Sequence, residues 1–229
     1  MNGLIFNREL RVITSANPLD PNCIFVSIGG DSFGRPPAFC KLGDKSWKVI
    51  SNLQGLTSND VVFHKGELYA VDSYSNLLRV NLNSSSIHCL ALVSNKYENI
   101  NNYLVEFKGH LLLVRRREKI KYEITVGFDV FRLIQEEMRW NHVKDIGNNV
   151  ILLGEYSSIS IPAPRSKAKC ICQDFKANCI YFIDDVKYWS SDHTHNDAGV
   201  YNMANHRIDL LPESWPIWTS PVNWLRPMF

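Results

Sequence analysis

Apolar residues along this chain come in short runs broken by Gly, Asn, Asp and Ser, which predicts β-strands joined by tight turns and leaves few segments with a sustained helical period. Two stretches are near copies. Asp60 to Val71 reads DVVFHKGELYAV and Tyr103 to Val114 reads YLVEFKGHLLLV, 43 positions apart, with Lys65-Gly66 and Lys108-Gly109 in the same place. Each predicts a β-hairpin in which Gly66 or Gly109 supplies the positive φ of a two-residue turn. VNLNSSSIHCL from Val80 matches YNMANHRIDLL from Tyr201 at Val80/Tyr201, Asn81/Asn202, Ile87/Ile208 and Leu90/Leu211, and NCIFVSI from Asn22 matches NCIYFID from Asn178. The offsets are close to multiples of ~40, and repeats of that length built from short strands are the signature of β-propeller blades.

Strands are expected at about 24–28, 60–64, 67–71, 104–107, 110–115, 125–132 and 179–183, and Gln135-Glu136-Glu137 reads as an acidic hairpin tip. Grouped by their turns, the strands form four blade-like units of about four strands each, at 11–50, 60–93, 103–146 and 149–211. The outer hairpin of each unit ends on a bulky apolar anchor: Trp47, Ile87, Trp140 or Ile208. Both tryptophans are expected to be packing wedges between blades. The fold class is therefore all-β, a β-propeller of about four visible blades that is either closed or an open arc. It is one domain over 1–229, with a Trp-rich tail at 212–229 expected to fold back onto it.

Composition narrows the function classes. With 229 residues and 45% hydrophobic residues the chain can form one large β domain, and a net charge of +2 lacks the basic excess of a dedicated nucleic-acid binder. Neither a membrane span nor a secretory leader is visible, so the expected location is the cytosol or nucleus, with no membrane or nucleic-acid partner. The six cysteines mostly sit in apolar runs and read as buried thiols. Asn83-Ser84-Ser85, a glycosylation sequon by pattern, reads as a polar turn.

Three stretches resemble chemistry. Gly29 to Gly34, GGDSFG, lacks the Lys-Ser/Thr and following helix of a phosphate loop and reads as a hairpin. Cys170, Cys172, Cys179, His193 and His195 cluster, but C-x-C and H-x-H differ from the spacings that shape tetrahedral zinc, so no metal is assigned. The run RRREKIK, Arg115 to Lys121, reads as a solvated hairpin loop in preference to a nuclear-import patch. No nucleophile stands in a catalytic frame. Catalytic, cofactor-binding and metal residues are accordingly none.

The ordered series NPLDPNCIFVSIGG, AFCKLGDKSWKVI, DVVFHKGELYAVD, YLVEFKGHLLLVRR, TVGFDVFRL, ILLGEYSSISI, NCIYFIDD, AGVYNMANHRIDLL and WPIWTSP resembles the C-terminal portion of the plant F-box-associated, KIB-type propeller family. The resemblance implies the target-binding domain of a ubiquitin-ligase substrate receptor, whose F-box docks a Skp-type adaptor. No F-box helices precede Arg11, so the expected partner is a target protein and not the adaptor. A propeller enzyme, or a truncated relative without activity, is the alternative.

Overall fold

The computed structural model of the chain describes residues 11–28, 37–50, 58–72, 74–84, 86–92, 101–119, 124–154, 157–164, 175–183 and 197–211. Every regular element among the described residues is a β-strand. The chain divides into two compact units, Met1–Lys96 and Tyr97–Phe229. Each holds two of the four blade-like sheets, so the division falls between the second and third.

In the first unit, β1 (Arg11–Thr14), β2 (Ile24–Ile28), β3 (Ala38–Lys41) and β4 (Lys48–Val49) form one sheet in chain order. A second sheet follows the same meander through β5 (Ser58–His64), β6 (Glu67–Asp72), β7 (Leu77–Asn81) and β8 (Ser86–Ala91). The second unit opens with the meander of β9 (Asn101–Phe107), β10 (His110–Lys119), β11 (Ile124–Ile134) and β12 (Arg139–His142). Its other sheet comprises β13 (Asn149–Leu153), β14 (Ile159–Pro162), β15 (Cys179–Ile183), β16 (Ala198–Asn202) and β17 (Arg207–Asp209). Each of the four successive small sheets has the form of a β-propeller blade.

The last sheet departs from the expected four-strand form. It has five strands in the order β14-β13-β15-β16-β17, and β13 runs parallel to β15 with Val150 opposite Cys179 and Leu153 opposite Phe182. The chain turns outward through β14 before returning to the far side of β13. Both partners, NVILL and CIYFI, are near-continuous apolar runs buried over almost their whole length, as parallel strands covered on both faces are.

Turn chemistry explains why the repeats recur. Lys65 and Gly66 have φ of 50° and 79°, and Lys108 and Gly109 have 50° and 77°. Positive φ at both central residues matches the twist of the flanking strands. The two turns occupy the same place, joining the first two strands of their sheets. The second repeat is equally local. Val80 pairs with Ile87 and Tyr201 with Ile208, and the Asn that follows closes each loop. Asn81 Oδ1 accepts from the amides of Asn83 and Ser84, and Asn202 Oδ1 from those of Ala204 and Asn205. A short amide side chain imitates a backbone turn in this way. Leu133 paired with Trp140 is the third instance of the register, with Met138 at φ 48° closing the tip after Gln135-Glu136-Glu137.

The cores lie between sheets. In the first unit Val26 and Phe39 from one sheet meet Val61, Leu68, Ala70, Leu78 and Val80 from the other. In the second unit Val105, Leu112, Val114, Phe128 and Val130 meet Ile151, Leu153, Ile180, Phe182 and Tyr201. Phe128 packs at a tilt against Phe182 and Tyr201, with centroids 5.2 and 5.4 Å away.

A Cβ added to Gly66 or Gly109 would meet no atom within 4 Å, so any cost of substitution there comes from the backbone alone. Gly66→Val and Gly109→Val should each destabilise the protein by more than about 1 kcal/mol, read as a lowered midpoint in thermal or urea unfolding. Unchanged midpoints in both variants would contradict this account of the turns.

Candidate functional site

Antiparallel order sends the β5–β6 and β7–β8 turns to the same end of the second sheet. Between these turns lies a cleft of about 370 Å³, to which β2 contributes Ile24. Phe63, Leu68 and Leu82 supply apolar wall, and Glu67, Arg79 and His88 supply the polar groups. Arg79 Nη1 stands 3.4 Å from Glu67 Oε1, and the buried Tyr69 donates its hydroxyl to Glu67 Oε2 at 2.7 Å. Tyr69, Arg79 and His88 form one cross-strand row. A cleft that sets apolar side chains beside charged ones has the mixed character of a protein-binding patch, and the volume also reaches the lower range of small-molecule sites. The sequence did not single out these side chains. They lie on three different strands, and only the pairing register assembles them.

The basic run at 115 differs from its expected form. Arg115 through Lys119 continue β10, paired with β11 as far as Ile124, and Arg115 and Arg116 are 2% and 1% exposed. Arg116 is buried because it has partners. Its Nη2 lies 2.7 Å from Asp197 Oδ2, its Nε donates to Thr125 Oγ1 at 2.5 Å, and its guanidinium lies 5.2 Å from the Phe182 ring centre. Asp197 Oδ2 also accepts from the Thr125 amide and hydroxyl, both at 2.6 Å. The network pins the residue before β16 to the two strands of the neighbouring sheet. A charge at such a site needs a paired, hydrogen-bonded counterpart to offset its desolvation.

Gly66 and Gly109 occupy the two hairpin turns described above. Trp140 is half-buried at the β11–β12 pairing position. Trp47, expected as a wedge, is 48% exposed, because it precedes a two-residue strand whose Lys48 and Val49 are themselves exposed. Gly29 to Gly34, Cys170, Cys172, His193, His195 and the tail 212–229 lie outside the described residues. Among the described residues no three His, Cys, Asp or Glu side chains converge as metal ligands. Cys179, the described member of that cluster, is buried and donates its thiol to the Ala177 carbonyl. Burial raises its pKa, opposed by Lys176 and reinforced by Asp209. Desolvation followed by a nearby aspartate also raises Cys40 and Cys89, and such shifts keep a thiol protonated and weakly nucleophilic.

The family model described as "KIB1-4 beta-propeller" matches residues 2–202. Relatives from Arabidopsis thaliana include F-box protein At2g26160, 24% identical over 65% of this chain and 46% of the relative. F-box protein SKIP23 is 24% identical over 80% of this chain and 49% of its own length. F-box protein At2g17036 is 23% identical over 88% and 53%. The chain thus spans about half the length of these relatives.

Removing Asp197 should leave Arg116 with Glu118, whose Oε1 lies 3.6 Å from its Nε, as a more distant counter-charge. Asp197→Ala is expected to cost about 2–3 kcal/mol in urea unfolding, and pairing Arg116→Met with Asp197→Leu should recover only part of that loss, because the buried Thr125 amide and hydroxyl still lack that acceptor. A cost below about 0.5 kcal/mol for Asp197→Ala would show that the network does not pin the strands.

Proposed function

The chain belongs to the KIB1-4 β-propeller family, and from that premise we propose that it holds a target protein as the recognition domain of an F-box-type ubiquitin-ligase substrate receptor. The observation that carries this reading is the cleft at the turn end of the second sheet, where an apolar wall is rimmed by Glu67, Arg79 and His88. A patch of that composition buries apolar side chains of a partner while its rim sets orientation and register. The relatives are named F-box proteins. In this reading the propeller binds the target and the adaptor contact belongs to an F-box. The role assigns the protein to the cytosol or nucleus. The raised thiol pKa values add no support to a catalytic reading.

Covalent crosslinking of the protein in plant cells, followed by capture, tests the reading against a variant carrying Arg79→Gln and His88→Asp. Target proteins should fall at least about tenfold in the variant, equivalent to ~1.4 kcal/mol, with an unchanged thermal midpoint. A target so identified should be ubiquitinated when this propeller is joined to an F-box, and not when the cleft variant is joined. Equal capture by both forms, or a target that is never modified, would overturn the reading.

A further inference from the structure

A second, smaller groove lies in the other unit, where β10, β11 and β12 approach β16 and the β16–β17 turn. Its volume is about 90 Å³, and its polar wall consists of Arg117, Asp129, His142, Lys144, Tyr201 and His206. At ~30 Å³ per water the space equals about three waters. That is far below the range of cofactor and metabolite pockets, but sufficient for the head group of one side chain. The wall is rich in donors. Two permanent cations and two imidazoles face one carboxylate, and Asp129 Oδ2 engages Arg117 Nε at 3.5 Å.

Arg117, Tyr201 and His206 are in contact before any ligand arrives, while His142 and Lys144 are exposed side chains at the mouth. Arg117 is paired with Gly127 across the strands, and the register slips immediately afterwards, between Arg117 and Glu118. A Cβ on Gly127 would lie 2.6 Å from Arg117 Nη2 and 3.5 Å from Tyr201 Cε2. The missing methyl is therefore the space in which the guanidinium lies, beside the phenol ring. On its other side the Tyr201 hydroxyl is 2.8 Å from His206 Nδ1. A bulge that re-aims a side chain, and a glycine that makes room for it, are means of fixing an arginine that would otherwise lose rotamer freedom on binding.

We propose that this groove is an anion subsite that anchors one oxyanion-bearing side chain of the target protein, with a phosphorylated serine or threonine filling it better than a carboxylate. The proposal rests on the target-binding reading above and adds to it the chemistry of one anchor. A phosphate presents three strong acceptors and up to two negative charges to an arginine, a lysine and ring N–H donors. A carboxylate carries one charge and reaches fewer of them.

Capped single residues are suitable probes: N-acetyl-phosphoserine, N-acetyl-glutamate and N-acetyl-serine N-methylamides, titrated into the full chain with the ring signals of His142 and His206 followed by NMR. The phosphoserine probe should move both signals saturably with a Kd in the millimolar range. The glutamate probe should bind at least about threefold more weakly, and the serine probe not at all. Lys144→Glu and, separately, His142→Gln should each weaken the phosphoserine probe at least about threefold while leaving the thermal midpoint in place. Equal binding of phosphoserine and glutamate would retain the subsite but make its occupant an acidic residue. No saturable shift from either anion, an equal response to serine, or indifference to Lys144→Glu would overturn the proposal. Because these titrations use no target protein, such a failure leaves the crosslinking result at the first cleft standing.

Discussion

The side chains of β13 and β15 are divided between two cores, and the rest of the second unit is arranged around that division. Ile151, Leu153, Ile180 and Phe182 face the sheet of β9–β12, while Val150, Leu152, Cys179 and Tyr181 point the other way into a cluster with Ala163 and Val200. Successive residues of a strand face opposite sides, so a strand apolar at every position requires cover on both. Each buried aliphatic or aromatic side chain contributes about 1.5–3 kcal/mol only while that cover is present. Small blade-like sheets with such strands depend on their neighbours, and Ser160 Oγ donating to the Glu106 carbonyl at 2.7 Å adds a direct link between adjacent sheets.

Where the strands end, the constraint changes from packing to backbone geometry. The KG turns and the Asn81 and Asn202 loops satisfy their own amides and φ values locally, so neighbouring side chains are released from structural duty. The first cleft lies among such released positions. Its Arg79 stands between the buried Leu78 and Val80, and His88 lies opposite Arg79 on the exposed stretch of β8. The groove at Arg117 is built from the same division, since Arg116 points into the buried network and Arg117, one residue on, points outward.

Short apolar runs bounded by turn residues located the strands because both signals are local. The KG pairs, the Asn81/Asn202 repeat and the equivalence of Ile87, Trp140 and Ile208 could all be read from spacing, since a hairpin's register is set by its own turn. Three features could not be read that way. Arg115 and Arg116 looked like solvated charge, because the partner that makes Arg116 buriable, Asp197, is 81 residues away. Trp47, like Trp140, reads as a wedge from its place in an outer hairpin, yet its exposure depends on how short β4 is. The parallel β13–β15 pair was hidden because a continuous apolar run states that a strand is buried without stating beside which strand.

The amino-acid sequence by itself thus determined the fold class, the four blade-like units and the chemistry of their turns, all of which rest on interactions between residues close in the chain. Only the tertiary structure decided which polar side chains meet. Arg79 with Glu67, Arg116 with Asp197, and Arg117 with Tyr201 and His206 are brought together by pairing register and by sheet-on-sheet packing. Those long-range contacts depend on how apolar faces find cover, a property of the whole unit that no local pattern encodes.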